Sequence, residues 1–325
     1  MKCILVTDYV SEPHIELAIL KNKFRVVTRD CDFNNSDVEG VLVWHDKINN
    51  DFLDRFPNVK FIQRYGVGFD NIDLLSCKKN NVKFANNPDY GVEEVSNTAI
   101  AYILYLSRAL GQYKHISEML MKKNDQNLWQ EITGLGVKRL SEEKLLIIGC
   151  GRIGSAIVRK AKELFKEIII YDPKLPSGIE KSLGCSRVDK LRDGLKLANV
   201  ISLNCLLNSD TKDLVNSDFL SNCNNDVLLI NTARGGLFEN DALIFNSLLN
   251  NEIGGIATDV LNDEPPSFDT VRLIEMCQKN FPGQCLIGNH TAYYSEQSLV
   301  EMRQNAANNI LDFFVNGQFK NEITK

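Results

Sequence analysis

Lys144 to Pro173 reads KLLIIGCGRIGSAIVRKAKELFKEIIIYDP, and the architecture of the chain can be worked out from it. Lys144–Ile148 is a short apolar run of strand length, and Gly149, Gly151 and Gly154 form G-x-G-x-x-G directly after it. Ile153, Ile157, Ala161, Leu164 and Phe165 then recur at helical spacing, and Ile168–Tyr171 is a second strand. A strand, a glycine turn, a helix and a strand make a complete β-α-β unit of the dinucleotide-binding kind. The three glycines serve different ends. Gly149 permits a tight turn, Gly151 lets a pyrophosphate approach the backbone, and Gly154 allows close packing of the helix. Amides around Arg152 and Ile153, at the helix N-terminus, then face phosphate oxygens. Asp172 ends the second strand 23 residues beyond Gly149, where a carboxylate bonds a ribose hydroxyl. An anion there repels a 2′-phosphate, and no arginine follows until Arg187, which favours NAD over NADP.

The rest of the chain is organised around this unit. Before it, apolar runs CILVT, FRVV, VLVW, KFIQ and VKFA alternate with PHIELAILKNK and NIDLLSCKKN, the pattern of a second small α/β domain with parallel strands. A long apolar helix, roughly Glu93 to Leu110, leads toward the nucleotide-binding part. After the unit, strands are expected at Val200–Asn204, Val227–Asn231, Gly255–Val260 and Cys285–Gly288. A last helix starts near Ser295, an N-cap residue, and carries Leu299, Met302, Ala306, Ile310, Phe313 and Phe314 on or near one face. The expected class is α/β, with doubly wound parallel sheets.

Composition narrows the function. The chain has 325 residues, 44% hydrophobic and 24% charged, enough for two domains of ordinary size. A formal charge of −5 leaves no footprint for nucleic acid, and the basic cluster VRKAKELFK reads as the solvated face of a helix. No segment approaches the roughly 18 uninterrupted apolar residues of a membrane span, and MKCILVTDYV reads as a first strand rather than a leader. Nine cysteines, at 3, 31, 77, 150, 185, 205, 223, 277 and 285, show no C-x-x-C spacing and imply no metal site and a reducing, cytoplasmic compartment.

Three polar residues follow three of the expected strands. Arg234 comes after VLLIN in NTARGG, Glu264 after GIATDVL in NDEPP, and His290 after CLIG in NHTAYY. Open α/β sheets bind ligands beyond the carboxyl ends of their strands, so the three converge beside the cofactor. The set suits carbonyl reduction or its reverse. His290 is the acid/base, Glu264 fixes and stabilises its imidazolium, and Arg234 clamps a substrate carboxylate.

The chain resembles the D-isomer-specific 2-hydroxyacid dehydrogenase family over essentially its whole length. The glycine unit, NTARGG, DVLNDEP and the late histidine stand in that family's order. YGVGFDNID, YDPKLPSGIEKSLGCSRV and HTAYYSEQSLVEM are most similar to its C-terminal-binding-protein-like branch. The resemblance implies two Rossmann-like domains: a flavodoxin-like substrate domain made of residues 1–100 plus 291–325, and an NAD domain, 101–290, inserted into it. It further implies a homodimer, a cleft that closes between domains, and a small 2-keto or 2-hydroxy acid as substrate. Asp259 is implied to bond the nicotinamide carboxamide, with Thr98, Cys205, Asn208, Thr232 and Ala233 lining the cofactor. Amides of Val67 and Gly68, aided by Arg64, are implied to receive the substrate carboxylate. Tyr293 stands where the branch has a pocket tryptophan.

There are departures too. Asn289 replaces the proline that usually precedes the catalytic histidine, leaving the backbone that aims His290 less fixed, and Asn204 and Leu206 replace a histidine and a proline near the cofactor. Asn97 stands where an acidic residue is common. Only 35 residues follow His290, so no added regulatory domain is expected after it. Two other readings stand beside the dehydrogenase: an NAD(H)-gated dimeric scaffold, and a relative acting on an unusual substrate such as phosphite or a sugar-acid intermediate.

Overall fold

The computed structural model describes residues 2–8, 10, 12–123, 129 and 134–324. In chain order the first elements are β1 (Cys3–Val6), α1 (His14–Leu20), β2 (Arg25–Thr28), β3 (Val38–Val43), α2 (Asn50–Arg55), β4 (Phe61–Arg64), α3 (Leu74–Lys79) and β5 (Lys83–Ala85). Then come α4 (Val92–Ser107), α5 (Leu110–Lys123), β6 (Lys144–Ile148), α6 (Arg152–Ala161), β7 (Glu167–Tyr171), α7 (Ile179–Leu183), β8 (Ser186–Arg187), α8 (Leu191–Leu197) and β9 (Val200–Leu203). The chain finishes with α9 (Ser217–Ser221), β10 (Leu228–Asn231), α10 (Asp241–Leu249), β11 (Gly255–Thr258), α11 (Phe268–Asn280), β12 (Cys285–Ile287) and α12 (Glu296–Asn316).

These elements form two compact units, one from residues 1–91 and 294–325 and the other from 92–293. The first division falls at Gly91 rather than near residue 100, because α4 runs unbroken from Val92 and belongs wholly to the second unit. That helix also stops earlier than its apolar pattern predicts. Ser107 is its last residue, and Ala109 takes a left-handed φ of 52° before α5 begins.

In the first unit five parallel strands lie in the order β2-β1-β3-β4-β5, the flavodoxin-like arrangement. One face buries Val27, Val41, Ile62 and Phe84 with Phe52 and Leu53 of α2. The last helix returns to the same unit. Ser295 caps it by accepting a hydrogen bond from the Ser298 amide, and Phe313 stacks on Phe61 at 4.5 Å between ring centroids.

In the second unit seven parallel strands lie in the order β12-β11-β10-β9-β6-β7-β8. Reading back from β8 this is the doubly wound dinucleotide-binding order, and its direction switches between β6 and β9. Strands buried on both faces explain why their sequences are near-continuous apolar runs. β8 was not legible in that way, since Ser186–Arg187 has two residues and pairs only at the sheet's edge.

Candidate active site

The glycine turn sits at the switch point of the second sheet. Gly149 has φ 87°, and a Cβ there would lie 2.6 Å from the Cys205 amide nitrogen, so both the turn and the approach of the segment after β9 require glycine. On Gly151 a Cβ would meet nothing within 4 Å, leaving open space at the N-cap of α6. On Gly154 it would lie 2.1 Å from the Gly149 carbonyl oxygen, which places the first turn of α6 directly against the loop.

Around that opening the sequence-predicted residues fall as follows. Asp172 is half-buried; one carboxylate oxygen accepts the Cys150 amide at 2.9 Å and the other the Lys174 amide at 2.9 Å. Arg187 of β8 donates to the carbonyls of Asp172 and Leu175 at 3.0 and 2.9 Å. Its guanidinium is thereby tied to the backbone of the loop that presents Asp172. Thr232 Oγ1 is buried and has no hydrogen-bond partner among the described residues. Burial pushes the Cys205 thiol up to about 11 and the Cys150 thiol up to about 12, so both are neutral near pH 7 and neither is a nucleophile. Thr98 of α4 donates to the Ala292 carbonyl at 3.4 Å. Asn208 is exposed and turned onto its own loop, where its side-chain oxygen accepts the Asp210 amide.

His290, Glu264 and Arg234 come together at the carboxyl edge of this sheet. His290 Nδ1 lies 2.6 Å from Glu264 Oε2, and the other carboxylate oxygen accepts the Leu261 amide at 3.0 Å. Burial alone would raise the Glu264 carboxyl, but the hydrogen bond and charge of His290, the Leu261 amide and the positive charge of Arg234 outweigh it and hold the group below the usual carboxylate range. Arg234 is half-buried, with extended backbone and Nη1 donating to the Ala233 carbonyl at 2.8 Å. Both partners of the His–Glu pair keep side-chain exposure, 41% and 37%. The pair is therefore fixed in geometry yet open to a substrate and to proton exchange.

Sequence reading missed the groups that build this constellation. Asn231 is fully buried; its side chain donates to the Arg234 carbonyl and accepts the Ala233 amide, which clamps the turn that presents Arg234. A Cβ on Gly235 would lie 1.8 Å from the Leu261 carbonyl oxygen, so the Arg234 turn packs directly on the loop that carries Glu264. Asp241 holds that loop from the other side, its carboxylate accepting the Asn262 amide at 3.1 and 3.2 Å. Asn231 stands in the quoted NTARGG and Asp241 follows Glu239 and Asn240, but nothing in either stretch marks which backbone groups their side chains bind. The repeated glycines of NTARGG were visible, but not what they touch.

His290 itself has a left-handed φ of 60°. Asp259 secures this turn: its carbonyl accepts the His290 amide at 2.7 Å, and its carboxylate accepts the amides of Ala292 and Thr291 at 2.8 and 3.3 Å. Burial raises the Asp259 carboxyl despite those amides and the His290 charge. Tyr293 is the last residue of this unit and is half-buried.

The remaining three expected residues belong to the first unit. Arg64 ends β4 and donates through Nε to Asn71 Oδ1 at 2.9 Å. In the turn after it, the Gly66 carbonyl accepts the Asn87 amide and the Val67 carbonyl accepts Asn86 Nδ2, which orients the peptide units leading into Gly68.

Comparison with known proteins identifies the family of the chain. The family D-isomer specific 2-hydroxyacid dehydrogenase, NAD binding domain, matches residues 100–281. The chain belongs to that family. It is 30% identical over 95% of its length to C-terminal-binding protein 1 of Caenorhabditis elegans, and 28% identical over 81% to D-3-phosphoglycerate dehydrogenase of Methanocaldococcus jannaschii. The matches span 43% and 47% of those relatives, less than half of each. Among solved structures, D-lactate dehydrogenase from Aquifex aeolicus, complexed with NAD and lactic acid, superposes with a TM-score of 0.85 at 26% identity, covering 99% of both chains. The NADPH-dependent glyoxylate/hydroxypyruvate reductase of Sinorhizobium meliloti, in complex with NADP and malonate, shares the fold with a TM-score of 0.82 at 23% identity, covering 99% of this chain and 96% of its own. Among the described residues no helix is long and apolar enough to cross a membrane.

Proposed function

We propose that this chain is an NAD-dependent oxidoreductase that moves a hydride between nicotinamide and a small 2-keto or D-2-hydroxy acid. The observation that carries the proposal is the 2.6 Å contact of His290 with Glu264, close enough to Arg234 for its charge to act on the carboxylate, at the edge of the sheet that holds the glycine turn. The bound dinucleotide would supply or accept the hydride. Gly151, with open space at its α-carbon, Asp172, and the unpartnered hydroxyl of Thr232 fit such a ligand.

This chain's own residues then do the proton chemistry. In the reductive direction His290, protonated at both ring nitrogens, holds Nδ1–H against Glu264 and gives its Nε2 proton to the carbonyl oxygen. Glu264 stabilises the imidazolium before transfer and fixes the tautomer after it. Arg234 presents a fixed planar cation to the substrate carboxylate and draws electron density from the adjacent carbonyl. Oxidation runs through the same atoms in reverse. In the first unit we assign the turn from Arg64 to Gly68 to carboxylate binding, supported by an arginine and a backbone turn at a strand's carboxyl end.

NAD is preferred to NADP in this proposal. A carboxylate at Asp172 repels a 2′-phosphate, and Arg187, the next arginine after it in the chain, is already engaged by two carbonyls. A cytoplasmic homodimer belongs to the same proposal, supported by nine free thiols and by the family. A second reading, an NAD(H)-gated dimeric scaffold, draws support from the likeness to C-terminal-binding protein 1.

The test is loss of NADH absorbance with glyoxylate, hydroxypyruvate, pyruvate, a branched or thioether 2-keto acid and 3-phosphohydroxypyruvate, repeated with NADPH. Turnover on one of them, faster with NADH, is the expected outcome. NADH binding with no turnover on any would overturn the 2-keto acid reading in favour of the scaffold or an enzyme for an unusual substrate.

A further inference from the structure

Asn289 occupies a position where a proline would stiffen the approach to His290, yet the imidazole is held to 2.6 Å of its partner in a left-handed turn. Something else must hold that turn. Its donors converge on one group: the Asp259 carboxylate accepts the Thr291 and Ala292 amides on either oxygen, and the Asp259 carbonyl accepts the His290 amide. A third donor reaches the same carboxylate from outside the turn. Tyr102, on the third turn of α4, directs its hydroxyl at Asp259.

The space for this contact is provided by Gly288. A Cβ there would lie 2.2 Å from Asp259 Oδ1 and 2.5 Å from the Tyr102 hydroxyl, so any larger residue would separate the two. Tyr102 is itself seated against the apolar cluster of Ile103, Leu145 and Ile157, which fixes the direction of its ring.

We propose that Tyr102 is the positioning residue for His290, acting through the Asp259 carboxylate. Two amides and a phenol use most of what that carboxylate can accept. Without the phenol the carboxylate is held only by the amides of residues 291 and 292, and the acceptor of the His290 turn is less fixed. The ring of His290 then samples orientations that do not meet Glu264. Tyr102 thereby does for this chain what backbone stiffness at residue 289 would do, with a side chain from a different element. The inference rests on the assignment of His290 as acid/base, and its test is chosen so that the two can fail separately.

Tyr102→Phe removes one oxygen and leaves the ring in place. On the 2-keto acid that the wild type turns over, kcat should fall at least fivefold, by more than any change in the NADH dissociation constant read by fluorescence titration. Tyr105→Phe, on the same helix, is the control and should leave both unchanged. A second readout needs no turnover: the rate at which diethyl pyrocarbonate modifies His290, followed by peptide mass spectrometry with His14, His45 and His115 as internal references. The Tyr102→Phe protein should react at least threefold faster at His290 only, because an imidazole released from Glu264 is more accessible. Equal rates at His290 in the two proteins would overturn the inference, whether or not the wild type is active. A wild type inactive on every 2-keto acid, with faster modification in the variant, would instead overturn the proposed function and leave the positioning role standing.

Discussion

Two acid–base pairs in this molecule have the same 2.6 Å contact and opposite surroundings. In the first unit Arg303 of α12 donates to both oxygens of Glu16 in α1, and Tyr65 donates its hydroxyl to the same carboxylate at 2.8 Å. Glu16 is 0% exposed and Arg303 8%. In the second unit His290 and Glu264 meet through one contact and remain more than a third exposed. The buried pair joins residues 287 positions apart and ties the returning C-terminal helix to the start of the chain. Its cation cannot give up a proton, and Tyr65, pushed well above its ordinary range by burial and by Glu16, stays a donor. The second pair has a titratable cation and access to solvent. The buried pair excludes water and proton exchange, and the pair proposed for acid–base chemistry keeps both.

The largest test of this contrast is Arg303→Ala. It leaves Glu16 as a buried, uncompensated charge, and the expected loss is about 3–5 kcal/mol of folding stability, read from the urea midpoint. Changing Glu16→Leu and Arg303→Met together should recover most of it; failure to recover would mean that the pair does more than fill and tie. His290→Ala should reverse the pattern, with turnover falling about 10²–10⁴-fold and the urea midpoint nearly unmoved. Should its stability fall as far as that of Arg303→Ala, the distinction between the pairs would collapse.

Glu264→Gln sharpens the comparison through pH. A hydrogen bond to a charged group contributes about 1.5–3 kcal/mol, so turnover should fall about 10–100-fold. Its effect on stability is smaller, below about 1 kcal/mol for a pair this exposed. The Glu264 carboxyl is held below its ordinary value of 4.5 in the folded protein. Its contribution is thus fully present above that value and is lost as pH falls through the lower, folded one. The gap in urea midpoint between wild type and Glu264→Gln should therefore close below pH 4.5, and a gap that widened there would give the wrong sign. The smallest effect is expected from Asn289→Pro. Because Asp259 already holds the turn, stability should change by less than about 1 kcal/mol and kcat by less than about threefold. A large rise in kcat would show that the turn is loose without proline.

The sequence displayed the second unit more fully than the first. Its β-α-β core, its three strand-end residues and the glycine spacing are local patterns, and local patterns survive in a linear string. α12 was visible too, since Ser295 caps it where a serine precedes a periodic helix. Arg303, by contrast, lies among Glu301 and Gln304 and reads as a solvated position, while Glu16 reads as the polar side of a short helix. Nothing along the chain marks them as partners, because their burial comes from elements at opposite ends of the sequence.

The same division holds at the candidate active site. The residues proposed to carry the chemistry were picked out by residue type at a strand's end: an imidazole, a carboxylate and a guanidinium, each after an apolar run. How they are held was settled only in three dimensions. Gly235 seated under the Leu261 carbonyl, Asp241 holding the Asn262 amide, and Tyr102 reaching the carboxylate that binds the His290 turn all act between segments that are neighbours in the fold but distant along the chain. Periodicity and spacing encode what a residue does with its nearest neighbours along the backbone; contacts closed by packing depend on the whole fold, and appear only when it is formed.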